Sequence, residues 1–172
     1  TYNLNDSSSN IVTGIVTATT LIVGSAVTTS SGKVGLGTGV PRSDIDLDGS
    51  TRFKTYHENV GVVTSSGNVV TLDLSSAQTF TLTVDQAVLS FKLTNPPSGS
   101  TAFTVKITQD STGYSVGIDT FNDNGGSAIP VYWPAAVTPE VTQTAEKTDI
   151  YSFMTFDGGS SLYGVVGGQN FA

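Results

Sequence analysis

Apolar residues recur at every second position through the middle of the chain. Four triplets carry the pattern: Val70-Leu72-Leu74, Phe80-Leu82-Val84, Leu89-Phe91-Leu93 and Phe103-Val105-Ile107. Between them stand Thr71 and Asp73, Thr81 and Thr83, Ser90 and Lys92, and Thr104 and Lys106. Alternation of this kind turns one set of side chains toward a core and the other toward water. Turn residues separate the triplets: Asn95-Pro96-Pro97-Ser98-Gly99-Ser100 is one break and Gln109-Asp110-Ser111-Thr112-Gly113 is another. Short strands at such spacing predict a β-sandwich or barrel. Asn59 to Val63 reads as the strand that opens this region, and Ser65 to Asn68 as the turn after it. Tyr114 to Phe121 reads as a weaker strand and 119–127 as a long polar loop. The alternation continues through Ile150-Ser152-Met154-Phe156, and Asp157-Gly158-Gly159-Ser160 marks a hairpin turn before Leu162 to Val166. No convincing helix is present. Residues 53–172 are therefore expected to form an antiparallel, jelly-roll-like β-sandwich, long enough to bury one core.

The first 52 residues have a different texture. Apolar bursts at Ile11-Val12, Ile15-Val16 and Leu21-Ile22-Val23 are short and set apart by Gly14 and Gly24. Within one chain they are too small to close a core, and burying them against copies of themselves solves the problem. The expectation is a thin intertwined β shaft over residues 1–50, most simply a homotrimer. The competing reading is an edge hairpin packed on the domain that follows.

Composition narrows the function classes. Charged residues make up 12% of the 172-residue chain, about half the usual share, while Gly, Ser, Thr and Val dominate, which favours strands and turns over helices. A net charge of −7 argues against nucleic acid, whose recognition needs clustered Lys and Arg. With no cysteine there is no disulfide framework and no thiolate metal site. No apolar run approaches the roughly 18 residues of a membrane span, so no membrane insertion is expected. The chain begins at Thr1, as a processed chain or a fragment would, and shows no signal peptide.

Candidate chemistry is sparse. Gly35-Leu36-Gly37-Thr38-Gly39-Val40 looks superficially like a phosphate loop, but its glycines are each two apart and no helix follows. Asp44-Ile45-Asp46-Leu47-Asp48-Gly49 matches the first half of a calcium loop, but the twelfth position is Thr55 rather than Glu. A half-buried strand with Asp44, Asp46 and Asp48 on its outer face explains the same residues. The lone His57 has no second histidine to share a metal, and no cofactor is expected. Glycoside cleavage needs two carboxylates, one with a raised pKa. Asp110, Asp119, Asp123 and Asp157 are available, but all lie in turns where Asp commonly serves the backbone. Aromatic residues in loops can grip sugars or a receptor, which makes Tyr114, Tyr132, Trp133 and Tyr163 candidates for glycan contact. Core or interface positions are the competing reading for these rings, Trp133 above all.

Two stretches carry a family resemblance. Lys33 to Gly49, KVGLGTGVPRSDIDLDG, is similar to an element that recurs in phage tail fibres and other virion appendage proteins, and the preceding GIVTATTLIVG resembles shaft repeats of T4-like phages of cyanobacteria. Farther on, FKLTNPP, FTVKITQDSTG, a Trp-Pro pair and FMTFDGGSSLYGVVGGQNF follow in an order similar to a terminal domain on structural proteins of marine tailed phages. The chain departs from the first element by carrying DIDLDG where LDV-x-G is commoner. The resemblance implies a virion structural protein and not an enzyme: a trimer with a β-structured shaft and a β-sandwich head. The leading expectation built on it is a fibre-like appendage whose partners are its own copies, other virion proteins and host cell-surface polysaccharide. Its competitors are an architectural decoration protein of capsid or tail, a glycan depolymerase, and a non-viral carbohydrate-binding module.

Overall fold

The computed structural model describes residues 34–36, 45–47 and 53–172. The chain divides into two compact units, Thr1–Thr55 and Tyr56–Ala172. In the first unit, strand β1 (Val34–Leu36) pairs in parallel with β2 (Ile45–Leu47), setting Gly35 opposite Asp46. Apart from these two strands, the expected shaft over residues 1–50 lies outside the described residues, as do Asp44 and Asp48 of the acidic triplet.

The second unit is all-β, as the alternation requires. Its strands are β3 (Val60–Val63), β4 (Ser65–Ser66), β5 (Val69–Asp73), β6 (Thr79–Val84), β7 (Ser90–Thr94), β8 (Thr101–Gln109), β9 (Phe121–Asn122), β10 (Ala128–Ile129), β11 (Val131–Tyr132), β12 (Thr148–Thr155) and β13 (Leu162–Phe171). They form a five-stranded sheet in the order β10-β9-β7-β5-β4 and a six-stranded sheet in the order β11-β13-β12-β8-β6-β3. One 3₁₀ turn at Pro134–Ala136 is the sole helical element among the described residues.

The antiparallel expectation is corrected. β5 and β7, β7 and β9, β3 and β6, β6 and β8, and β11 and β13 all run parallel. Antiparallel pairing is confined to β4–β5, β9–β10, β8–β12 and β12–β13. From β5 to β9 each strand passes to the opposite sheet, so two crossings bring the chain back beside itself in the same direction. The result is a wound coil of two sheets closed by the β12–β13 hairpin, not a jelly roll. Alternation has the same period in both arrangements and does not report strand direction.

The inward sets fill the space between the sheets. Val70, Leu72 and Leu74, then Phe80, Leu82 and Val84, then Phe103, Val105 and Ile107 are all buried. Aromatic rings join the layers. Phe91 stacks on Phe121 at 5.2 Å from the five-stranded sheet, Phe103 stacks on Phe153 at 5.2 Å from the other, and Phe121 meets Phe153 at 4.9 Å. Offset and tilted pairs at these separations add about 0.5–1.5 kcal/mol each beyond area burial.

Two strands depart from the expected phase. Leu89 is exposed while Val88, Phe91 and Leu93 are buried. The N–H groups of Leu89 and Ser90 both donate to the Asn68 carbonyl, so two residues oppose one, as in a β-bulge, and the pleat slips by one position. In β12 the inward residues are Asp149, Tyr151, Phe153 and Thr155, one step out from the apolar set Ile150, Met154 and Phe156. Tyr114 to Phe121 is mostly irregular, with a single bridge from Val116 to Val88 before β9 begins.

Candidate functional site

The sugar-contact candidates fall in three different environments. Trp133 is buried, edge-on to Tyr151 at 6.2 Å and to Phe153 at 5.7 Å. Its ring also lies against Gly164, where any Cβ would come within 2.5 Å of Trp133 Cζ3. The ring belongs to the core. Tyr114 is half-buried against the core, and the Gln109 side chain holds its backbone through Tyr114 N to Gln109 Oε1 (2.8 Å) and Gln109 Nε2 to Tyr114 O (2.9 Å). Tyr132 and Tyr163 are exposed and adjacent, with ring centroids 5.3 Å apart, because parallel pairing of β11 with β13 sets them side by side. A third ring, Phe156, stands T-shaped to Tyr163 at 5.8 Å and is 62% exposed. Phe156 ends the apolar set Ile150-Ser152-Met154-Phe156, and such a residue reads as core until the phase of β12 is known.

The turn that follows Phe156 is closed by its own hydrogen bonds. Asp157 Oδ1 accepts from Thr155 Oγ1 (2.8 Å) and Ser161 N (3.0 Å), and Oδ2 accepts from Ser161 Oγ (2.6 Å). The Ser161 hydroxyl and N–H, with the Thr155 hydroxyl, hold the Asp157 carboxyl below its ordinary pKa. Buried Thr155 Oγ1 in turn accepts the Gly159 N–H at 2.9 Å. Gly158 and Gly159 sit at φ of +69° and +89°, where L side chains are strained, and a Cβ on Gly159 would meet Pro96 Cγ at 2.8 Å.

This turn walls a cleft of about 490 Å³ at one end of the sandwich. Leu93, Pro96, Ala128 and Ile129 supply its apolar lining, and Asn95, Asp123, Asn124 and Ser160 its polar groups. The size is that of pockets that take small ligands. The opposite wall is the β9–β10 loop, closed by hydrogen bonds between Asp123 N and Ser127 O (2.8 Å), Gly126 N and Asp123 O (3.1 Å), and Ser127 N and Asp123 Oδ1 (2.8 Å). Asn95 is fixed from behind, its Nδ2 donating to Asp73 Oδ1 at 2.9 Å. That bond, with two from Ser75, holds Asp73 below its ordinary pKa. The segments 128–133 and 156–163 reach both the cleft and the aromatic strip.

The carboxylates weighed for glycoside cleavage serve their own turns. Asp110 Oδ1 accepts from Thr112 N (2.7 Å) and Gly113 N (3.2 Å), and Asp119 Oδ1 from Thr120 Oγ1 (3.3 Å). Asp123 and Asp157 close the two loops just described, and the lowered pKa of Asp157 is opposite to what a general acid requires. Among the described residues no group of three or more His, Cys, Asp or Glu is placed to hold a metal ion. Asp46 lies at the middle of β2. No helix among the described residues is long and apolar enough to cross a membrane.

The outer face of the six-stranded sheet carries few charges; one is the Glu58 carboxylate, which accepts from Thr79 Oγ1 at 3.1 Å beside Thr104, Ser152 and Met154. One cross-strand row runs Val60, Thr79, Thr104, Ser152 and Val165, and the next runs Ala102, Met154, Tyr163 and Tyr132. Thr104 and Ser152 share a hydrogen bond of 3.0 Å, as do Thr108 and Thr148. Val60, Val62, Met154 and Val165 are exposed there, and Lys106 is the cation of this face. No protein-family model, no curated protein and no solved structure matches the chain.

Proposed function

We propose that the chain is a structural component of a virion appendage, a fibre-like homotrimer whose shaft ends in this sandwich and presents it to the host surface. The observation that carries the reading is the sparsely charged outer face of the six-stranded sheet, with Val60, Val62, Met154 and Val165 exposed on it. Parallel strands such as β3, β6 and β8 ordinarily have both faces covered, and packing against copies of the chain would cover this one. The resemblance of Lys33 to Gly49 and of the C-terminal segments to tailed-phage proteins points the same way. In this reading the residues do no covalent chemistry, and three copies of a modest site gain avidity through effective concentration.

Light scattering on the full chain at low concentration tests the proposal. The expected mass is three times that of the 17.8 kDa chain. Replacing Val62, Met154 and Val165 together with serine is expected to weaken or abolish the trimer while leaving the far-ultraviolet circular dichroism unchanged. A monomeric full chain would overturn the proposal and leave a carbohydrate-binding module as the better reading.

A further inference from the structure

We propose that the cleft between the β9–β10 loop and the β12–β13 turn is a binding site for one hexose unit of a neutral glycan. The inference rests on the adhesive reading above and names what would be bound. Four features carry it. The volume, about 490 Å³, fits a small ligand rather than a folded partner. Its lining combines a hydrocarbon floor, Leu93, Pro96 and Ile129, with amide, hydroxyl and carboxylate groups, Asn95, Asn124, Ser160 and Asp123. A sugar ring is matched to that combination, since its C–H face is apolar and its rim carries hydroxyls. Both walls are fixed by their own hydrogen bonds, through Asp123 to Ser127 on one side and Thr155 to Gly159 on the other. A preorganised site loses little entropy on binding.

The fourth feature is the charge. Asp123 is the one acidic or basic side chain lining the cleft. Its Oδ1 is engaged by Ser127 N, while Oδ2 makes no hydrogen bond among the described residues. A carboxylate oxygen in that state accepts hydroxyl donors and repels anions. Phosphate, sulfate and uronic acids are therefore disfavoured, and a neutral polyol is favoured. Lys92 lines a separate, neighbouring cleft that shares Asp123, Asn124 and Gly125.

The test is calorimetric titration of the full chain with oligomers of glucose, galactose and mannose, and with oligomers of uronic acid as the acidic counterpart. At least one neutral series is expected to bind and the uronic series not to. Asp123→Asn is expected to weaken binding about tenfold or more through loss of a charged acceptor. Because Asp123 also closes its loop, Ala128→Arg serves as the second variant. It places bulk at an exposed lining position and is expected to block binding with the thermal midpoint unchanged. Absence of binding in all three neutral series would overturn the inference, as would equal binding of uronic oligomers or undiminished binding by Ala128→Arg. The mass of the same samples separates the two proposals. A trimer that binds no sugar sinks only this one, and a monomer that binds a neutral sugar sinks only the appendage.

Discussion

Asp149 gives the most demanding test of the packing. Its side chain is 1% exposed and sits where the C-terminal end of β13 meets the segment before β12. Oδ2 accepts from Thr142 N at 2.7 Å, Tyr151 Oη at 3.0 Å and Gln169 Nε2 at 3.4 Å, and Oδ1 accepts from Asn170 N at 2.8 Å. Burial alone would raise the carboxyl pKa. The Thr142 and Asn170 N–H groups and the Tyr151 hydroxyl more than offset it, so the pKa lies below the ordinary value. Burial raises the pKa of Tyr151, and the Asp149 hydrogen bond and charge raise it further, so Tyr151 remains a donor at neutral pH.

Asp149→Asn keeps the shape and removes the charge. With its single oxygen toward Thr142 and Tyr151, the new amide points N–H groups at the Asn170 N–H. One charged hydrogen bond is lost, at about 1.5–3 kcal/mol, and the other three weaken, for a total cost of about 3 kcal/mol. For a domain of this size that lowers the thermal midpoint by about 10 °C. The folded pKa is depressed, so the wild-type advantage is complete above the unfolded value of about 3.9 and is lost as pH falls through the folded value. Thermal melts of both proteins by circular dichroism from pH 7 to pH 2 should show a gap that is constant at neutral pH and closes in acid. A midpoint loss below about 3 °C at pH 7, or a gap undiminished at pH 2, would refute the reasoning.

Three further substitutions probe other parts of the argument. Gly164→Ala should cost about 1–3 kcal/mol, read as a lower denaturant midpoint, because its Cβ would lie 2.5 Å from Trp133 Cζ3 and the buried ring would have to shift. Thr155→Val should cost about 1–3 kcal/mol by the same assay, since it strands the Gly159 N–H in a buried turn; it should also loosen the wall of the cleft. Phe156→Ser removes an exposed ring and should change stability by no more than about 0.5 kcal/mol. A large loss there would mean that Phe156 is covered in solution, by a partner copy or by another part of the chain.

The class of the fold was legible because period two is a strong signal, and eleven of the twelve residues in the four triplets, all but Leu89, are buried. Strand direction was not legible. It depends on whether a connection turns back within a sheet or crosses to the other, and Leu74 to Gln78 between β5 and β6 looks like any polar turn. The phase of β12 was lost for a different reason. Apolar residues occupy both faces of that strand, and the inward set includes Asp149 and Thr155, whose polar groups are admitted to the core only because partners satisfy them: Asp157 and Gly159 in the next turn for Thr155, and Thr142, Tyr151 and Asn170 for Asp149. Thr142 and Asn170 cannot be paired with Asp149 by spacing.

The candidate site follows from the same limits. Tyr132 and Tyr163 were visible as aromatics near Gly-rich loops, yet their adjacency is a product of parallel pairing between β11 and β13. Trp133, one residue on from Tyr132, points the other way by the alternation of an extended chain and becomes core. Phe156 was passed over because an apolar residue at the end of an alternating run is normally buried. The cleft lining comes from four separate turns or strand ends, and none of its residues is unusual where it stands. Asp123 looked like a turn aspartate and is one. Its free oxygen acquires meaning only from the hydrocarbon floor opposite, supplied by Leu93 and Ile129 from other strands. A site built from ordinary loop residues leaves no motif, because its specificity lies in the distance between elements rather than in residue type. That is why the sequence yields the sandwich readily and its cleft only after the strands have been placed.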